Sequence, residues 1–425
     1  MTSQFSIDGD TLQTDIRQNA TFGDIDADVG RGRTVLPGDQ ANGGARDYLI
    51  NQMEDAGLEV RVDAVGNIAG RWTPPGTTPD VAPVAAGSHL DSVPRGGIFD
   101  GALGVYAALE AVRAIQRSRV ELRRPLEVVC FTGEEGTRFA DGVLGSSVAT
   151  GHLSVDEALS LSDGTVTLRE ALRTIGYQGA GRLDAGEWAA WLELHIEQGG
   201  SLEAADVPIG IVTDVTGTVR GEVHIQGEAD HAGTTGMAER SDALVAASEL
   251  VRSVEETASD LSATGTGTAV GTVGELNVGP NVVNVVPGSV SLSLDIRSIC
   301  AAEIDTQLDA VEGSVAAIET DYGVDAELEI TYDVSPTALS PAVQDVLQTA
   351  ADNCSAETMS VHSGGGHDTM QVADVTEAGL VFVPSEGGHS HSPKESVAWD
   401  DCIVATEVLA EALAELARTG AHQQC

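Results

Sequence analysis

Four apolar runs in this chain each lead to residues that can hold a cation, and this pattern limits the fold more than any other feature. V-A-P-V-A-A-G-S-H-L-D closes on His89 and Asp91, L-E-V-V-C-F-T delivers Glu134 and Glu135, and A-W-L-E-L-H-I carries His195. G-L-V-F-V-P runs into a glycine turn before His391. Short apolar runs with polar or glycine exits read as buried, mostly parallel strands. After Asp100, residues Leu103, Tyr106, Leu109, Val112 and Ile115 fall near helical spacing, so a helix starts beside the first strand end. Ligands in open α/β sheets bind at the carboxyl ends of the strands. In the third run Glu193, His195 and Glu197 alternate onto one face, which predicts that His195 emerges among polar neighbours. The opening forty residues are polar and predict a loosely ordered terminus.

The middle of the chain has a different rhythm. V-R-G-E-V-H-I-Q-G reads as a strand, residues 241–258 as a helix, G-T-A-V-G-T-V-G-E-L and V-S-L-S-L-D-I-R as strands, 301–320 as a helix and A-E-L-E-I-T-Y as a strand. This β-α-β-β-α-β order is that of a ferredoxin-like unit inserted over residues 215–335. The expected architecture is therefore α/β. A first domain is built from residues 1–214 and 336–425 around a central mixed sheet, and an α+β insertion serves as lid or dimerisation domain.

Composition narrows the setting. With 425 residues and 42% hydrophobic side chains, the chain can bury the cores of two domains. It has no basic-then-apolar leader, and no run approaches the roughly 20 apolar residues that span a bilayer. Its five cysteines are scattered and without C-x-x-C pairing, which suits free thiols in a reducing compartment. These features predict a cytoplasmic protein with no membrane partner. A net charge of −44 disfavours nucleic acid, and the acidic residues, interleaved with apolar ones, read as the hydrated surface of a halophilic protein.

His89, Asp100, Glu135, His195 and His391 are residue types suited to two divalent metals such as zinc, manganese, cobalt or nickel, and one carboxylate can bridge both ions. Together they predict a metal-dependent hydrolase. Asp91, two residues after His89, is placed to accept the second imidazole N–H and fix its tautomer. Glu134 and Glu135 are adjacent, so their side chains diverge; one should be a ligand and the other the general base for an attacking water. Arg297 offers a planar fork for a substrate carboxylate, with Asn284 as a neutral donor, and His231 could donate to a developing oxyanion. A purely metal-storing acidic protein would need neither a base nor a carboxylate clamp.

Seven segments carry a family resemblance. They are G-S-H-L-D-S-V-P-x-G-G-x-x-D-G, F-T-G-E-E-G-T-R-F, H-I-E-Q-G, D-H-A-G-T-T, N-V-V-P-G followed by D-I-R, S-G-G-G-H-D and S-H-S-P-K-E, in that order. The chain resembles the amidase, hydantoinase and carbamoylase group of binuclear metallohydrolases over nearly its whole length. That group includes N-carbamoyl-L-amino acid hydrolases, β-ureidopropionases and allantoate amidohydrolases. The resemblance implies one metal on His89 and His195, the other on Glu135 and His391, and Asp100 bridging. It makes Glu134 the general base and acid, and Gln198, His231, Asn284, Arg297 and His367 the substrate contacts. It further implies a homodimer and a small carboxylated ureido substrate, with a dipeptidase or aminoacylase as the more distant reading. Two departures stand out. Gly236 replaces the family's usual proline, predicting a more mobile His231 loop, and Val219 stands where allantoate-cleaving relatives tend to carry arginine.

Overall fold

A computed structural model describes residues 4–77 and 80–418; Cys425 lies outside them. The chain divides into two compact units, Met1–Thr213 with Leu339–Cys425, and Asp214–Ala338.

In the first unit four parallel strands form the centre of a mixed sheet, in the order Ala378–Val383, Ala190–Ile196, Val84–His89, Leu126–Phe131. Antiparallel strands flank them: Ile209–Val215 on one side, Ile68–Trp72 and then Glu59–Val62 on the other. All four central strands are buried along their full length, because parallel strands with crossover connections are covered on both faces. On one face lies the helix Ala102–Ser118, against the sheet and against the helix Trp399–Arg418. Its Leu103, Tyr106, Leu109, Val112 and Ile115 are all at most 1% exposed. Each such side chain contributes about 1.5–3 kcal/mol of burial. The other face is filled by Trp188 and Trp191, stacked 5.2 Å apart, with Phe131 5.4 Å from Trp191.

Three features depart from the sequence reading. His195 does not emerge among polar neighbours: it is 2% exposed, since its strand is interior to the sheet and covered on both faces. Glu193 on the same strand is buried too, and accepts hydrogen bonds from Ser88 Oγ (2.6 Å) and Thr369 Oγ1 (2.6 Å). The polar opening contains the helix Gly9–Asn19, anchored by buried Leu12 and Ile16 after a buried Phe5. Two apolar residues four apart are enough to dock one helical face, but they are too sparse to stand out as a periodic signal. Residues 1–3 lie outside the described structure.

The second unit orders its strands Val270–Thr272, Ser289–Ser298, Gly217–Gln226, Asp325–Val334, all neighbours antiparallel, with Leu276–Gly279 also on Ser289–Ser298. The helices Ala243–Thr264 and Ala301–Tyr322 cover one face. The fourth strand thus lies beside the first, as in a ferredoxin-like unit. Period-2 alternation turns Val219, Val223 and Ile225, with Val290, Leu292, Leu294 and Ile296, toward those helices. Val219 is therefore a core residue, 2% exposed, and its side chain is set by packing rather than by any ligand. Its neighbour Arg220 points the other way and bonds Asp295 (3.1 Å). No helix among the described residues is long and apolar enough to cross a membrane.

Candidate metal centre

The parallel strands deliver their residues to one edge. His89 is the last residue of its strand, and His195 stands opposite Phe382 on the neighbouring one. Glu134 and Glu135 follow the strand ending at Phe131, and His391 follows the one ending at Val383, with a left-handed φ of 52°. Asp100 precedes the helix Ala102–Ser118 through Gly101, where φ is +64° and a Cβ would sit 2.4 Å from the His89 ring. Only glycine allows Asp100 and His89 to approach this closely.

The two oxygens of Asp100 face different partners. Oδ1 is 3.6 Å from His89 Nε2 and 3.3 Å from His195 Nε2. Oδ2 is 3.6 Å from His391 Nε2, which is 3.2 Å from Glu135 Oε2. Asp100 is thus shared by the groups His89–Asp100–His195 and Asp100–Glu135–His391. Gln198 Nε2 (2.9 Å) and Ser390 Oγ (3.0 Å) donate to Oδ2 and fix its orientation. Glu193, His195 and His367 also cluster, but the Glu193 oxygens are taken by Ser88 and Thr369, so that group braces the site.

The donor set fits a cation. His89 Nδ1 lies 3.1 Å from the Asp91 carbonyl oxygen, an acceptor, so Nδ1 carries a proton and Nε2 is the nitrogen turned to the site. Among the described residues that buried Nε2 has no hydrogen-bond partner, and it faces carboxylate oxygens. Acceptors aimed at one another inside a protein cost free energy unless a proton or a metal lies between them. Protonation is the metal-free answer: burial lowers the His195 pKa, Asp100 more than reverses this, and the imidazole rises to about 9. The hydrogen bond to Glu135 likewise lifts His391 to about 9. Imidazole and carboxylate donors so arranged suit a divalent ion.

Residues 85–415 match the model of the peptidase family M20/M25/M40. The chain belongs to this family. It is 39% identical over 413 residues to an N-carbamoyl-L-amino-acid amidohydrolase of Paenarthrobacter aurescens, covering 96% of this chain and 98% of the relative. A ureidoglycolate hydrolase of Arabidopsis thaliana is 35% identical over 428 residues, covering 98% and 88%. A crystal structure of a hydantoinase/carbamoylase family amidase from Burkholderia multivorans superposes with a TM-score of 0.90 at 34% identity, covering 98% and 99%. Together with the site's donors, these matches make the chain a metal-dependent amidohydrolase.

In this M20 amidohydrolase Glu134 places Oε2 3.6 Å from His89 Nε2. Burial, then the negative charges of Asp368, Glu135, Asp100 and Asp91, push its carboxyl well above the ordinary range. Asp91 does something other than expected: its carbonyl, not its carboxylate, is the nearer acceptor for His89, the carboxylate lying at 3.8 Å. The carboxylate instead accepts the backbone N–H groups of Gly133 (3.0 Å), Glu134 (3.3 Å) and Glu135 (3.2 Å). It thereby holds the turn that carries both glutamates. His367 is 1% exposed, edge-on to His195 at 4.6 Å and bonded through Nε2 to Ser363 Oγ at 2.9 Å; burial, then His195, push its imidazole well below the ordinary histidine range.

His231, Asn284 and Arg297 belong to the second unit. His231 and Asn284 are exposed and meet in a small ribbon: His231 pairs with Val285, and the Ala232 N–H donates to the Asn284 carbonyl (3.0 Å). Nδ1 of His231 accepts the Gly233 N–H (3.0 Å), leaving Nε2–H as the donor. The loop that ends at Gly236 is braced by Arg240, which bonds the carbonyls of Ala232 (2.7 Å) and Thr235 (3.2 Å). Arg297 stands apart on Ser289–Ser298, its guanidinium bidentate on Asp295 at 2.6 and 2.9 Å. Arg33 and Glu395 escaped the sequence reading. Glu395 had a signal, four residues beyond His391 in S-H-S-P-K-E; Arg33 had none.

Proposed function

We propose that the protein hydrolyses the carbamoyl C–N bond of N-carbamoyl-L-amino acids, releasing the amino acid, carbon dioxide and ammonia. In this reading His89 and His195 would hold one divalent ion, Glu135 and His391 would hold a second, and Asp100 would serve both. When bound, such ions polarise the carbonyl under attack and make water nucleophilic at neutral pH. Glu134 takes the proton of the attacking water and returns it to the departing amino-acid nitrogen. The carbamate that leaves decomposes to carbon dioxide and ammonia. Arg297 holds the substrate carboxylate, Asn284 adds a neutral donor, and His231 offers its Nε2–H to the oxyanion.

The observation that carries this reading is the division of the Asp100 carboxylate between two ligand groups, with Glu134 beside one of them. The substrate is supported by the 39% identity to an N-carbamoyl-L-amino-acid amidohydrolase. The ureidoglycolate hydrolase at 35% identity favours a ureido substrate of another kind as second reading. A kcat/KM comparison separates them, using N-carbamoyl-L-methionine, carbamoyl-β-alanine, allantoate, ureidoglycolate and a simple dipeptide with added manganese. N-carbamoyl-L-methionine should lead; a clear preference for allantoate, ureidoglycolate or the dipeptide would replace the proposal.

A further inference from the structure

The segment Gly97–Asp100 carries the carboxylate shared by both ligand groups, and a buried carboxyl and a buried guanidinium grip its backbone. Oε1 of Glu395 accepts the N–H groups of Phe99 (2.7 Å) and Asp100 (3.1 Å). Arg33 donates from Nε to the Gly97 carbonyl (3.3 Å) and from Nη2 to the Asp100 carbonyl (3.2 Å). Glu395 is 4% exposed and Arg33 0%, so neither is a surface residue that happens to lie nearby. Burying a carboxyl and a guanidinium costs free energy unless their polar atoms are hydrogen-bonded. Here the return is control over four main-chain groups in one short turn.

The surroundings leave the clamp little play. A Cβ on Gly97 would fall 2.1 Å from Glu395 Cδ, and one on Gly30 would fall 1.7 Å from the Pro393 carbonyl oxygen. The Arg33 N–H also bonds the Gly96 carbonyl (3.0 Å). Three segments remote in sequence, Gly30–Arg33, Gly96–Asp100 and Pro393–Glu395, are thus seated directly on one another.

We propose that Glu395 and Arg33 are positioning residues that aim the Asp100 carboxylate so that each of its oxygens meets its own ligand group. They bond the main chain of Asp100 and its neighbours rather than the ligand side chains, and so act through the backbone. Because Asp100 is common to both groups, loosening the clamp weakens both metal equivalents together, whereas losing a ligand of one group weakens chiefly that equivalent. The proposal rests on the bridging assignment of Asp100, so its test includes that residue.

Apparent affinities for zinc and manganese, measured by chelator competition on purified protein, read the effect without turnover. Gly97→Ala displaces the Glu395 carboxylate while leaving every ligand in place. It should weaken both equivalents by about 10–100-fold, the usual cost of disturbing groups that orient a ligand. Glu395→Ala should do the same, with kcat at subsaturating metal falling while KM for the substrate stays within about threefold. Glu395→Gln keeps a carbonyl oxygen for the two N–H groups and should retain affinity within about threefold of wild type. His391→Ala should weaken mainly one equivalent. If Asp100→Ala leaves both equivalents bound, the bridging assignment fails. If Asp100→Ala loses them but folded Gly97→Ala and Glu395→Ala bind both as wild type does, the clamp alone is refuted. Far-UV circular dichroism identifies folded variants, and should Glu395→Ala not fold, Gly97→Ala decides.

Discussion

Asp100 and Arg297 are both charged residues assigned to the chemistry, and the protein holds them in opposite ways. The Asp100 carboxylate is 3% exposed, receives Gln198 and Ser390 on one oxygen and has its backbone gripped by Glu395 and Arg33. The Arg297 side chain is 30% exposed and spends its fork on Asp295, two residues away on the same strand. The first arrangement is set by the core of the α/β unit and is expensive to alter. The second is a partly exposed ion pair worth about 0–1 kcal/mol, which an incoming carboxylate can replace or share at little cost. Rigidity thus belongs to the group proposed to support hydrolysis, and exchangeability to the group proposed to recognise the substrate.

The contrast can be broken most decisively at the buried centre. Asp100→Ala should abolish activity by losing metal, whereas Glu134→Gln should keep about two bound ions and lose about 10²–10⁴-fold in kcat. Elemental analysis of the two variants checks this; a full Asp100 variant beside an empty Glu134 variant would invert the roles. Next in size, and resting on a homodimer that shares sites, inactive His231→Ala and inactive Glu134→Ala proteins should recover part of the activity when their subunits exchange. No recovery in hybrids proven by mass spectrometry would confine His231 to its own chain or remove it from the reaction.

Arg297→Lys keeps the charge but not the fork, and should lower kcat/KM by about 10–100-fold on carboxylated substrates and less on an amidated analogue. Equal losses on both would separate Arg297 from carboxylate recognition. The smallest effect concerns salt. With a net charge of −44, exposed carboxylates repel one another more as salt is diluted, while buried pairs are screened far less. The thermal midpoint should fall between molar and millimolar potassium chloride. Hydrogen exchange should quicken in the second unit before it does in the strand Ala190–Ile196. A midpoint indifferent to salt would dispose of the halophilic reading.

The strands ending near His89, Phe131, Ile196 and Val383 were legible in the sequence because each is a short apolar run with a polar exit. The ferredoxin-like order was legible because its two inner strands alternate strictly and its helices are long. The antiparallel pair Glu59–Val62 and Ile68–Trp72 and the strand Thr358–Ser363 were not, since none is both apolar and regular. Periodicity also places Val219 on a strand but not on a side of it, so a substrate-facing orientation stays open at the level of sequence. The helices Ala243–Thr264 and Ala301–Tyr322 decide that it faces the core.

By itself, then, the sequence determined which residue types stand at the strand ends, because local patterning decides where a strand stops and which side chains come directly after it. It could not determine who holds those residues. Glu395 finds the N–H groups of Phe99 and Asp100 across separations of 296 and 295 positions, and Asp91 spends its carboxylate on a turn 42 to 44 residues away. Such partners are set by which buried polar groups the packed core leaves facing one another, and each must be satisfied there because water cannot reach it. Only the tertiary structure makes that assignment.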